Sequence, residues 1–515
     1  MPLPAMFARG FWEIAETHPN AVALSEHNGR TITFAALREQ VHAYAHSFRS
    51  RGLRQGAVAA ALLSNRIEFV VTYLACIESG LYFVPVNFHL TDSEVSYILD
   101  NSQADLLVTE ARFGPTATVA AHATGLAAEH RLAVDDVRGF QSMAELAATQ
   151  PRTFVDDASP GDVIVYTSGT TGKPKGVRRE LGRGDVLATL DLFASVVLGD
   201  DWRDGGVHLV SAPLYHRGPF IVAMVALHCG HRLVLMDRWM PESALELIER
   251  EQVTTCYVVP TMMHRLVRLP DTKREQFDVG SLRYVLHSAA PCPIDVKHSL
   301  IEWWGPVVYE TYGGTEGGGT RVTPAEWLER PGTVGRPWDG AEIHVLDEEG
   351  NPCPPGVDGF VYIKPTSPNF EYFRDPDKTA SIKMGDLHTL GDIGHVDDAG
   401  YLFLRGRRHD LIISGGVNIY PAEVEDALLS SPEVLDAAVV GVADEEWGES
   451  VKAIVVAAPG VNADDSLRER LLDHCRSRLA GFKCPRTIEF RDTLPRTSAG
   501  KMYKRYLDAP LGSQP

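Results

Sequence analysis

The sequence of 515 residues lacks the features that mark secreted, membrane-spanning and nucleic-acid-binding proteins. Its seven cysteines never form a C-x-x-C pair, so they indicate reduced intracellular thiols and predict neither a disulfide nor a zinc site. No signal peptide is recognisable at the start, and polar residues at 78–80 interrupt the most apolar stretch, 69–86, before it reaches the roughly 20 residues of a membrane span. These absences favour a cytoplasmic protein without a transmembrane segment.

Positive charge is also scarce, because 49 Lys and Arg face 68 Asp and Glu, a formal net charge of −19 at pH 7. Such a chain has no large positive field to attract phosphate backbones, so nucleic acid is not expected as a partner. Residues 468–505 depart from this balance with eleven Lys and Arg against four Asp and Glu. This basic region could receive a phosphorylated ligand, although charge clusters also occur simply as solvated helix faces.

Length and hydrophobic patterning predict an α/β protein of more than one domain. Residues 20–155 alternate helical stretches with short β-rich runs, and the alternation resumes after residue 206, so two layered α/β sheets are expected. Residues 332–404 are rich in Gly, Pro and Asp turns and predict a β-rich subdomain. The last hundred or so residues have the compact α+β pattern of a small separate domain.

The sharpest local motif is YTSGTTGKPKG at residues 166–176, which follows an apolar strand-like run. Small residues let backbone N–H groups approach phosphate oxygens, hydroxyls donate further hydrogen bonds, and lysines offset anionic charge. The spacing differs from the G-x-x-x-x-G-K-[ST] loop of P-loop kinases and GTPases, because Pro174 follows Lys173. The motif therefore predicts a phosphate-gripping loop of another kind. The residues assigned to nucleotide binding there are Thr167, Ser168, Gly169, Thr170, Thr171, Gly172, Lys173 and Lys175.

This loop resembles the phosphate loop of the acyl-adenylate-forming (AMP-binding) superfamily, and four further motifs match that superfamily in the same order. They are YGGTE at 312–316, TLGD at 389–392, GR at 406–407 followed by Asp410 and SGG at 414–416, and PRTSAGK at 495–501. Within the superfamily the chain resembles acyl-CoA synthetases and fatty-acid–CoA ligases. The resemblance implies a large N-terminal nucleotide- and acyl-binding domain over 1–405, a hinge over 406–409 and a mobile C-terminal lid domain over 410–515.

The resemblance also implies roles in nucleotide binding, and each role suits the side chain. Tyr312 offers a ring to stack on adenine, Thr315 a hydroxyl for the α-phosphate, and Glu316 a hard oxygen ligand for Mg²⁺, which Thr167 is expected to share. The carboxylate of Asp392 can accept hydrogen bonds from the ribose hydroxyls, and Arg407 can add a donor to the same sugar. The remaining residues assigned to the nucleotide or to CoA are Gly313, Ala289, Ala290, Pro291, Gly415 and Gly416.

Lys501 resembles the lysine that catalyses adenylation in the superfamily, where a point cation can stabilise the charge that develops as pyrophosphate leaves. The lid is then expected to rotate, so that a thiol can reach the same carbonyl in a second step. The hinge position that is usually Asp or Lys is His409 here. Because histidine titrates near neutrality, the charge of this hinge stays open.

The acid-binding pocket is expected around PLYHRG at 213–218, where the resemblance places His216 beside the adenylate carbonyl as a catalytic residue. The other residues assigned to the acid are Tyr215, Arg217, Phe220 and Gly314. Arg217 either recognises a distal polar group of the acid or faces solvent. The glycine-rich run 313–319 is poor in side chains and is therefore expected to leave room for a wide acid.

The sequence thus predicts an ATP-dependent carboxylic acid–CoA ligase that uses Mg²⁺ and forms acyl-AMP and pyrophosphate, then acyl-CoA and AMP. The acid is expected to be a medium- or long-chain fatty acid or a bulky steroid-type acid, and a homodimer is left open. One alternative is an acyl-AMP ligase that loads a separate carrier protein. Another is a non-catalytic nucleotide-binding protein, which the intact Lys501, Glu316 and Asp392 disfavour.

Overall fold

The computed structural model describes residues 3–167, 174–181, 194, 205–365, 370–414, 417–444, 447–496, 502, 504 and 507. Within these ranges, no helix is both long enough and apolar enough to cross a membrane. The strands are β1 (Val22–Glu26), β2 (Thr31–Thr33), β3 (Val58–Leu62), β4 (Tyr82–Pro85), β5 (Leu106–Thr109), β6 (Arg131–Ala133), β7 (Gln141–Ser142), β8 (Asp162–Val163), β9 (Val165–Thr167), β10 (Lys175–Arg178), β11 (Gly206–Val210), β12 (His231–Leu235), β13 (Thr255–Val258), β14 (Tyr284–His287), β15 (Val308–Gly313), β16 (Gly319–Val322), β17 (Thr333–Pro337), β18 (Glu342–Leu346), β19 (Gly359–Lys364), β20 (Glu371–Tyr372), β21 (Lys383–Met384), β22 (Leu387–Val396), β23 (Leu402–Arg407), β24 (Ile412–Ser414), β25 (Val417–Ile419), β26 (Val434–Asp444), β27 (Gly448–Ala457) and β28 (Thr487–Phe490).

Several of the α-helices begin at a residue whose side chain caps the first turn. Helix α4, for example, opens with a capping box in which Thr91 and Glu94 satisfy each other's backbone N–H groups. The helices are α1 (Phe11–Thr17), α2 (Phe34–Ser50), α3 (Ile67–Glu78), α4 (Asp92–Ser102), α5 (Gly114–Ala123), α6 (Met143–Ala148), α7 (Arg217–His228), α8 (Pro241–Glu251), α9 (Pro260–Val267), α10 (Asp271–Arg274), α11 (Ile294–Trp304), α12 (Pro324–Glu329), α13 (Pro376–Ser381), α14 (Pro421–Leu429) and α15 (Asp465–Arg476).

Two large sheets form the N-terminal part of the molecule. The first has six strands in the order β7-β6-β5-β3-β4-β8, and all neighbours are parallel. The second has fourteen strands, whose parallel part runs β15-β14-β13-β11-β12-β1. Helices α3 and α7 are buried along nearly their whole length in one hydrophobic core that reaches both sheets. The expected pair of layered α/β sheets is therefore confirmed.

The β-rich region predicted at 332–404 is an extension of the second sheet. Beyond β15 the strands become antiparallel, and β16 and β17 join β15 to β23, β22, β19 and β18. At the start of this extension, Gly335 has φ +98° and lies against the backbone of Arg321, so no side chain fits there. The extension carries β22 and β23, on which two predicted ribose ligands lie, and β16 and β17 separate these strands from β15.

The C-terminal part is a five-stranded sheet in the order β25-β24-β27-β26, with β28 beside β27, and it packs α14 and α15 over its own hydrophobic core. The expected α+β pattern is confirmed. Arg268, at the end of α9, donates hydrogen bonds of 3.0, 3.0 and 3.1 Å to the carbonyl oxygens of Leu429, Ser431 and Pro432 at the end of α14. This arginine fastens the N-terminal part to the C-terminal part in the orientation observed.

Candidate active site

The predicted site residues converge because several of them follow neighbouring parallel strands. Residues 213–217 follow β11, residues 288–291 follow β14, and Tyr312 lies at the end of β15. The carboxyl ends of parallel strands lie at the same edge of a sheet, which is where α/β proteins commonly bind ligands. The sheet order therefore brings these three motifs to one edge.

The turn between β15 and β16 holds Thr315 and Glu316. Gly313 pairs with Gly319, so residues 314–318 form a tight turn. Thr315 and Glu316, which lie in this turn, are both largely buried. One oxygen of Glu316, Oε1, accepts a 2.6 Å hydrogen bond from the hydroxyl of Tyr372, and the other, Oε2, accepts a 3.1 Å bond from Oγ1 of Thr315. The carboxylate orientation is thus fixed from both sides.

The glycines of this turn serve close packing. A Cβ atom on Gly313 would lie 2.7 Å from the carbonyl oxygen of Gly318. A Cβ atom on Gly314 would press on Oε2 of Glu316 and lie 2.6 Å from Cδ2 of Leu390. The expectation that this run leaves room for a wide acid is therefore wrong, because the space without side chains is filled by neighbouring backbone and by Leu390.

The predicted ribose ligands are brought together as expected. Asp392 on β22 pairs in register with Arg407 on β23, and Nε of Arg407 is 3.4 Å from Oδ1 of Asp392. The hydroxyl of Tyr312 donates a 2.7 Å hydrogen bond to Oδ2 of the same carboxylate. Burial, together with the charge of Asp392, raises the pKa of Tyr312 well above its ordinary value, so this hydroxyl remains a donor at neutral pH.

The expected adenine segment begins directly after β14. Oγ of Ser288 is hydrogen-bonded to the hydroxyl of Tyr257 at 2.7 Å, which ties the segment to β13. Ala289 has φ +80°, a left-handed conformation that costs a residue with a side chain about 1 kcal/mol or more. Ala290 and Pro291 follow at the same edge of the sheet. Strain of this kind concentrates at ligand-binding segments, which agrees with the predicted role.

The two strands that flank the predicted phosphate loop form a hairpin, in which Lys175 on β10 pairs with Thr167 on β9. Burial lowers the pKa of Lys175, and its Nζ lies 5.5 Å from the centre of the Tyr372 ring. The side chain of Thr167 and residues 168–173 lie outside the description, as do Gly415, Gly416 and Lys501. Their predicted roles remain predictions.

The residues predicted to bind the acid lie at the start of α7. His216 is the N-cap residue of this helix, and its ring centre lies 4.4 Å from that of Tyr215. Phe220 packs against Tyr73 in the core at 4.9 Å between ring centres. Burial, together with the charge of Arg179, lowers the pKa of Arg217 to about 10, so this guanidinium stays charged at neutral pH.

His409, the predicted hinge residue, lies in a single 3-10 turn, Arg408–Asp410, and its Nε2 is 3.6 Å from Oδ1 of Asp410. At the first position of this turn, Cζ of Arg408 lies 4.4 Å from the centre of the Phe360 ring. The turn thus connects β23, which carries Arg407, to the C-terminal sheet. The hinge role itself stays a prediction.

Two residues of the site carry no sequence motif of their own. Tyr372 contacts Glu316 from 56 positions further along the chain. Arg179 donates a 2.7 Å hydrogen bond through Nη2 to the carbonyl oxygen of Thr315, 136 positions away. Both contacts depend on the three-stranded sheet β20-β10-β9. This sheet forms because β20 pairs with β10, a strand far away in the sequence.

Glu316 suits a magnesium ion that is held jointly with nucleotide phosphates. Within the described part of the chain, no cluster of three or more His, Cys, Asp or Glu could bind a metal ion alone. Magnesium in nucleotide-dependent enzymes usually takes one or two carboxylates and completes its shell with phosphate oxygens and water. A single well-oriented carboxylate, held by the small sheet whose strands flank the predicted phosphate loop, therefore fits this ion.

Comparison with known proteins agrees with this arrangement. The sequence matches the family "AMP-binding enzyme" over residues 11–369 and "AMP-binding enzyme C-terminal domain" over residues 423–501. It is 35% identical to the fatty acid–[acyl-carrier-protein] ligase ScoC of Streptomyces coeruleorubidus, over 93% of this chain and 91% of that protein. It is 34% identical to a feruloyl-CoA synthase of an Amycolatopsis species, over 96% and 97%.

Among solved structures, the fold is similar to the anthranilate CoA ligase AuaEII in complex with anthranoyl-AMP. The TM-score is 0.85 and the identity 26%, over 98% of this chain and 97% of that one. The motifs, the geometry of the site and these matches agree. The chain belongs to the AMP-binding enzyme family, the acyl-adenylate-forming superfamily, and is one of its AMP-forming acid–thiol ligases.

Proposed function

We propose that this protein is an ATP-dependent carboxylic acid–CoA ligase that works in two steps. The observation that carries the proposal is the convergence of a buried, oriented carboxylate at Glu316 with the Tyr312–Asp392–Arg407 group at one edge of the large sheet. The first would face the phosphates of ATP and the second its ribose. ATP, Mg²⁺ and CoA are the cofactor and co-substrates of this chemistry.

In the first step a carboxylate oxygen of the acid attacks the α-phosphorus of ATP, and the bond to pyrophosphate breaks. In the second step a thiolate attacks the acyl carbon of acyl-AMP and AMP leaves, so no nucleophile on the protein is needed. Mg²⁺, when bound, offsets phosphate charge. Asp392 and Arg407 hold the ribose through both steps, whereas Lys501 is proposed to act only in the first and to leave with the rotating lid.

His216 and Tyr215 are proposed to border the acid at its reacting end. The Tyr215 ring stands edge-on to Phe88 at 4.9 Å, and Phe88 stacks on Phe113, so an aromatic wall extends outward from Tyr215. We propose an acid with a bulky apolar or aromatic body, a class that includes the steroid-type acids. Two of the similar proteins, named for feruloyl-CoA and anthranilate, support the aromatic option, and a fatty acid ligase keeps chain-like acids in the test.

The test is thioester formation from ATP, free CoA and a panel of aromatic, steroid and medium- to long-chain aliphatic acids. We expect acyl-CoA, AMP and pyrophosphate in equal amounts with at least one class. Lys501→Ala should abolish carboxylate-dependent ATP–pyrophosphate exchange and retain thioester formation from synthetic acyl-AMP. Failure to make any acyl-adenylate with the whole panel would contradict the proposal.

The second candidate is a ligase that transfers the acyl group to a carrier protein, which the 35% identity to an acyl-carrier-protein ligase favours. The two candidates share the first step and differ only in the thiol. If the acyl-AMP reacts with a phosphopantetheine-bearing carrier protein and not with free CoA, the protein is the carrier-protein ligase and not the CoA ligase.

A further inference from the structure

The hydroxyl of Tyr372 contacts the carboxylate on which metal-assisted adenylation is proposed to depend. It donates a 2.6 Å hydrogen bond to Oε1 of Glu316, and both side chains are largely buried, with residue exposures of 8% and 7%. A hydrogen bond from a neutral donor to a buried carboxylate is short and strong. Tyr372 therefore restricts how this carboxylate can turn.

Tyr372 belongs to the same small sheet as both ends of the phosphate loop. It lies on β20 and pairs with Val177 on β10, which is paired in turn with β9. Its backbone N–H donates a 3.0 Å hydrogen bond to Oγ1 of Thr379, which holds the strand from the other side. The hydroxyl thus links Glu316 mechanically to the strands that lead into and out of the loop.

The two hydrogen bonds to Glu316 leave acceptor capacity free on each oxygen. Tyr372 occupies one lone pair of Oε1 and Thr315 one of Oε2, whereas an ionised carboxylate offers about four acceptor positions. The arrangement orients the carboxylate without preventing it from meeting a cation.

We propose that Tyr372 is a positioning residue for adenylation, which orients the Glu316 carboxylate toward Mg²⁺ and couples this orientation to strands β9 and β10. The proposal rests on the proposed function, because it takes Glu316 as a ligand of the Mg²⁺–nucleotide complex. Tyr372→Phe removes only the hydroxyl. The ring, its contact with Lys175 and the backbone pairing with Val177 can remain.

Tyr401 supplies a matched control within the same domain. Its hydroxyl donates a 2.9 Å hydrogen bond to Oε1 of Glu326, and the residue is 5% exposed. It lies in the connection between β22 and β23, where Arg330 and Arg336 lie over its ring. Tyr401→Phe therefore removes a tyrosine–glutamate hydrogen bond of the same kind without touching Glu316. Thermal unfolding of both variants measures any general loss of stability.

The first measurement is carboxylate-dependent ATP–pyrophosphate exchange as a function of Mg²⁺ concentration. For Tyr372→Phe we expect a rate about 10- to 100-fold lower and a several-fold higher Mg²⁺ requirement, as for loss of one charge-assisted hydrogen bond. Thioester formation from synthetic acyl-AMP should stay within about twofold of the unmodified enzyme. Tyr401→Phe should match the unmodified enzyme in both assays.

The second measurement is calorimetric titration with ATP in the presence and absence of Mg²⁺, which needs no knowledge of the acid. Tyr372→Phe should lose much of the gain in affinity that Mg²⁺ provides, and Tyr401→Phe should keep it. An unchanged Mg²⁺ dependence, or equal losses in the two half-reactions, would overturn the positioning role. If the unmodified protein binds Mg²⁺–ATP and makes no acyl-adenylate, the proposed function fails separately.

Discussion

Lys297 forms a buried ion pair with Glu310 on strand β15, and its replacement should destabilise the protein strongly. Its Nζ lies 2.6 Å from Oε2 of Glu310, a residue of β15 just ahead of Tyr312, and the Lys297 side chain is only 1% exposed. Nε2 of His287, the last residue of β14, lies 3.3 Å from the same oxygen. The perturbation is Lys297→Met, which keeps most of the side-chain volume and removes the charge.

Burial alone would raise the pKa of Glu310, yet Lys297 and His287 together outweigh burial and lower it from 4.5 to about 2. That net shift corresponds to about 3 kcal/mol in favour of the ionised carboxylate, to which both neighbours contribute. Breaking a buried pair by removing one partner typically costs about 3–5 kcal/mol, because the other charge is left buried and unpaired. We therefore expect Lys297→Met to lower the melting temperature by several degrees.

The matched comparison is the double variant Lys297→Met/Glu310→Leu. Because both charges leave together, it should recover most of the stability that the single variant loses. Thermal unfolding followed by circular dichroism at one heating rate ranks the three proteins. The reasoning is refuted if the single variant melts with the unmodified protein, or if the double variant melts no higher than the single one.

The same pair fixes the sign of a pH dependence. A carboxyl whose folded-state pKa is depressed contributes stability that is present above its unfolded-state pKa and is lost as the pH falls toward the folded-state pKa. For Glu310 that window runs from about pH 4.5 down to about pH 2. The difference in melting temperature between the unmodified protein and Lys297→Met should therefore shrink as the pH is lowered from 5 to 3.

Three further predictions concern the domain contact and the glycine turn. Arg268→Ala removes three hydrogen bonds to carbonyls of residues 429–432, so we expect it to change the ratio of the two half-reaction rates by about tenfold; equal effects on both would contradict this. Burial and neighbouring carboxylates raise the pKa of Asp426 from 3.8 to about 7, so this carboxyl destabilises the folded state increasingly as the pH rises between these two values. Asp426→Asn should therefore raise the melting temperature markedly at pH 8.5 and hardly at all near pH 4, and a gain of equal size at both would refute the assignment. Gly314→Ala places a Cβ against the neighbouring glutamate carboxylate and should lower pyrophosphate exchange about 100-fold, whereas Gly481→Ala, where the added Cβ meets nothing within 4 Å, should not.

The sequence was most informative where local pattern alone decides the structure. The alternation of helical and β-rich stretches expected over 20–155 is confirmed, because helices α2 to α5 alternate there with strands β3 to β6. Apolar β-rich runs bounded by turns specify such elements without help from distant residues. Their arrangement in sheets was harder, because the continuation of the second sheet through β16 and β17 depends on pairing across long separations.

The candidate site shows the same division. Asp392, Arg407 and Tyr312 could be grouped in advance because each lies in a recognisable motif, and the structure brings the three together. Tyr372 could not be found, since one tyrosine in a sequence carries no information about a carboxylate 56 positions away. The prediction that the glycine-rich turn leaves room for a wide acid was wrong for a different reason. Absence of a side chain has the same appearance in a sequence whether the space is open or filled by a neighbour such as Leu390.

Both carboxylates at the centre of the site are held by the same device. A tyrosine hydroxyl donates to Glu316 at 2.6 Å and another to Asp392 at 2.7 Å, and burial raises the pKa of both tyrosines. A buried carboxylate without hydrogen-bond donors would be costly, whereas one with a fixed donor keeps one orientation. Each tyrosine thus holds its carboxylate in a fixed orientation within a largely buried site. The geometry is set before the nucleotide arrives, so little reorganisation remains for the reaction itself.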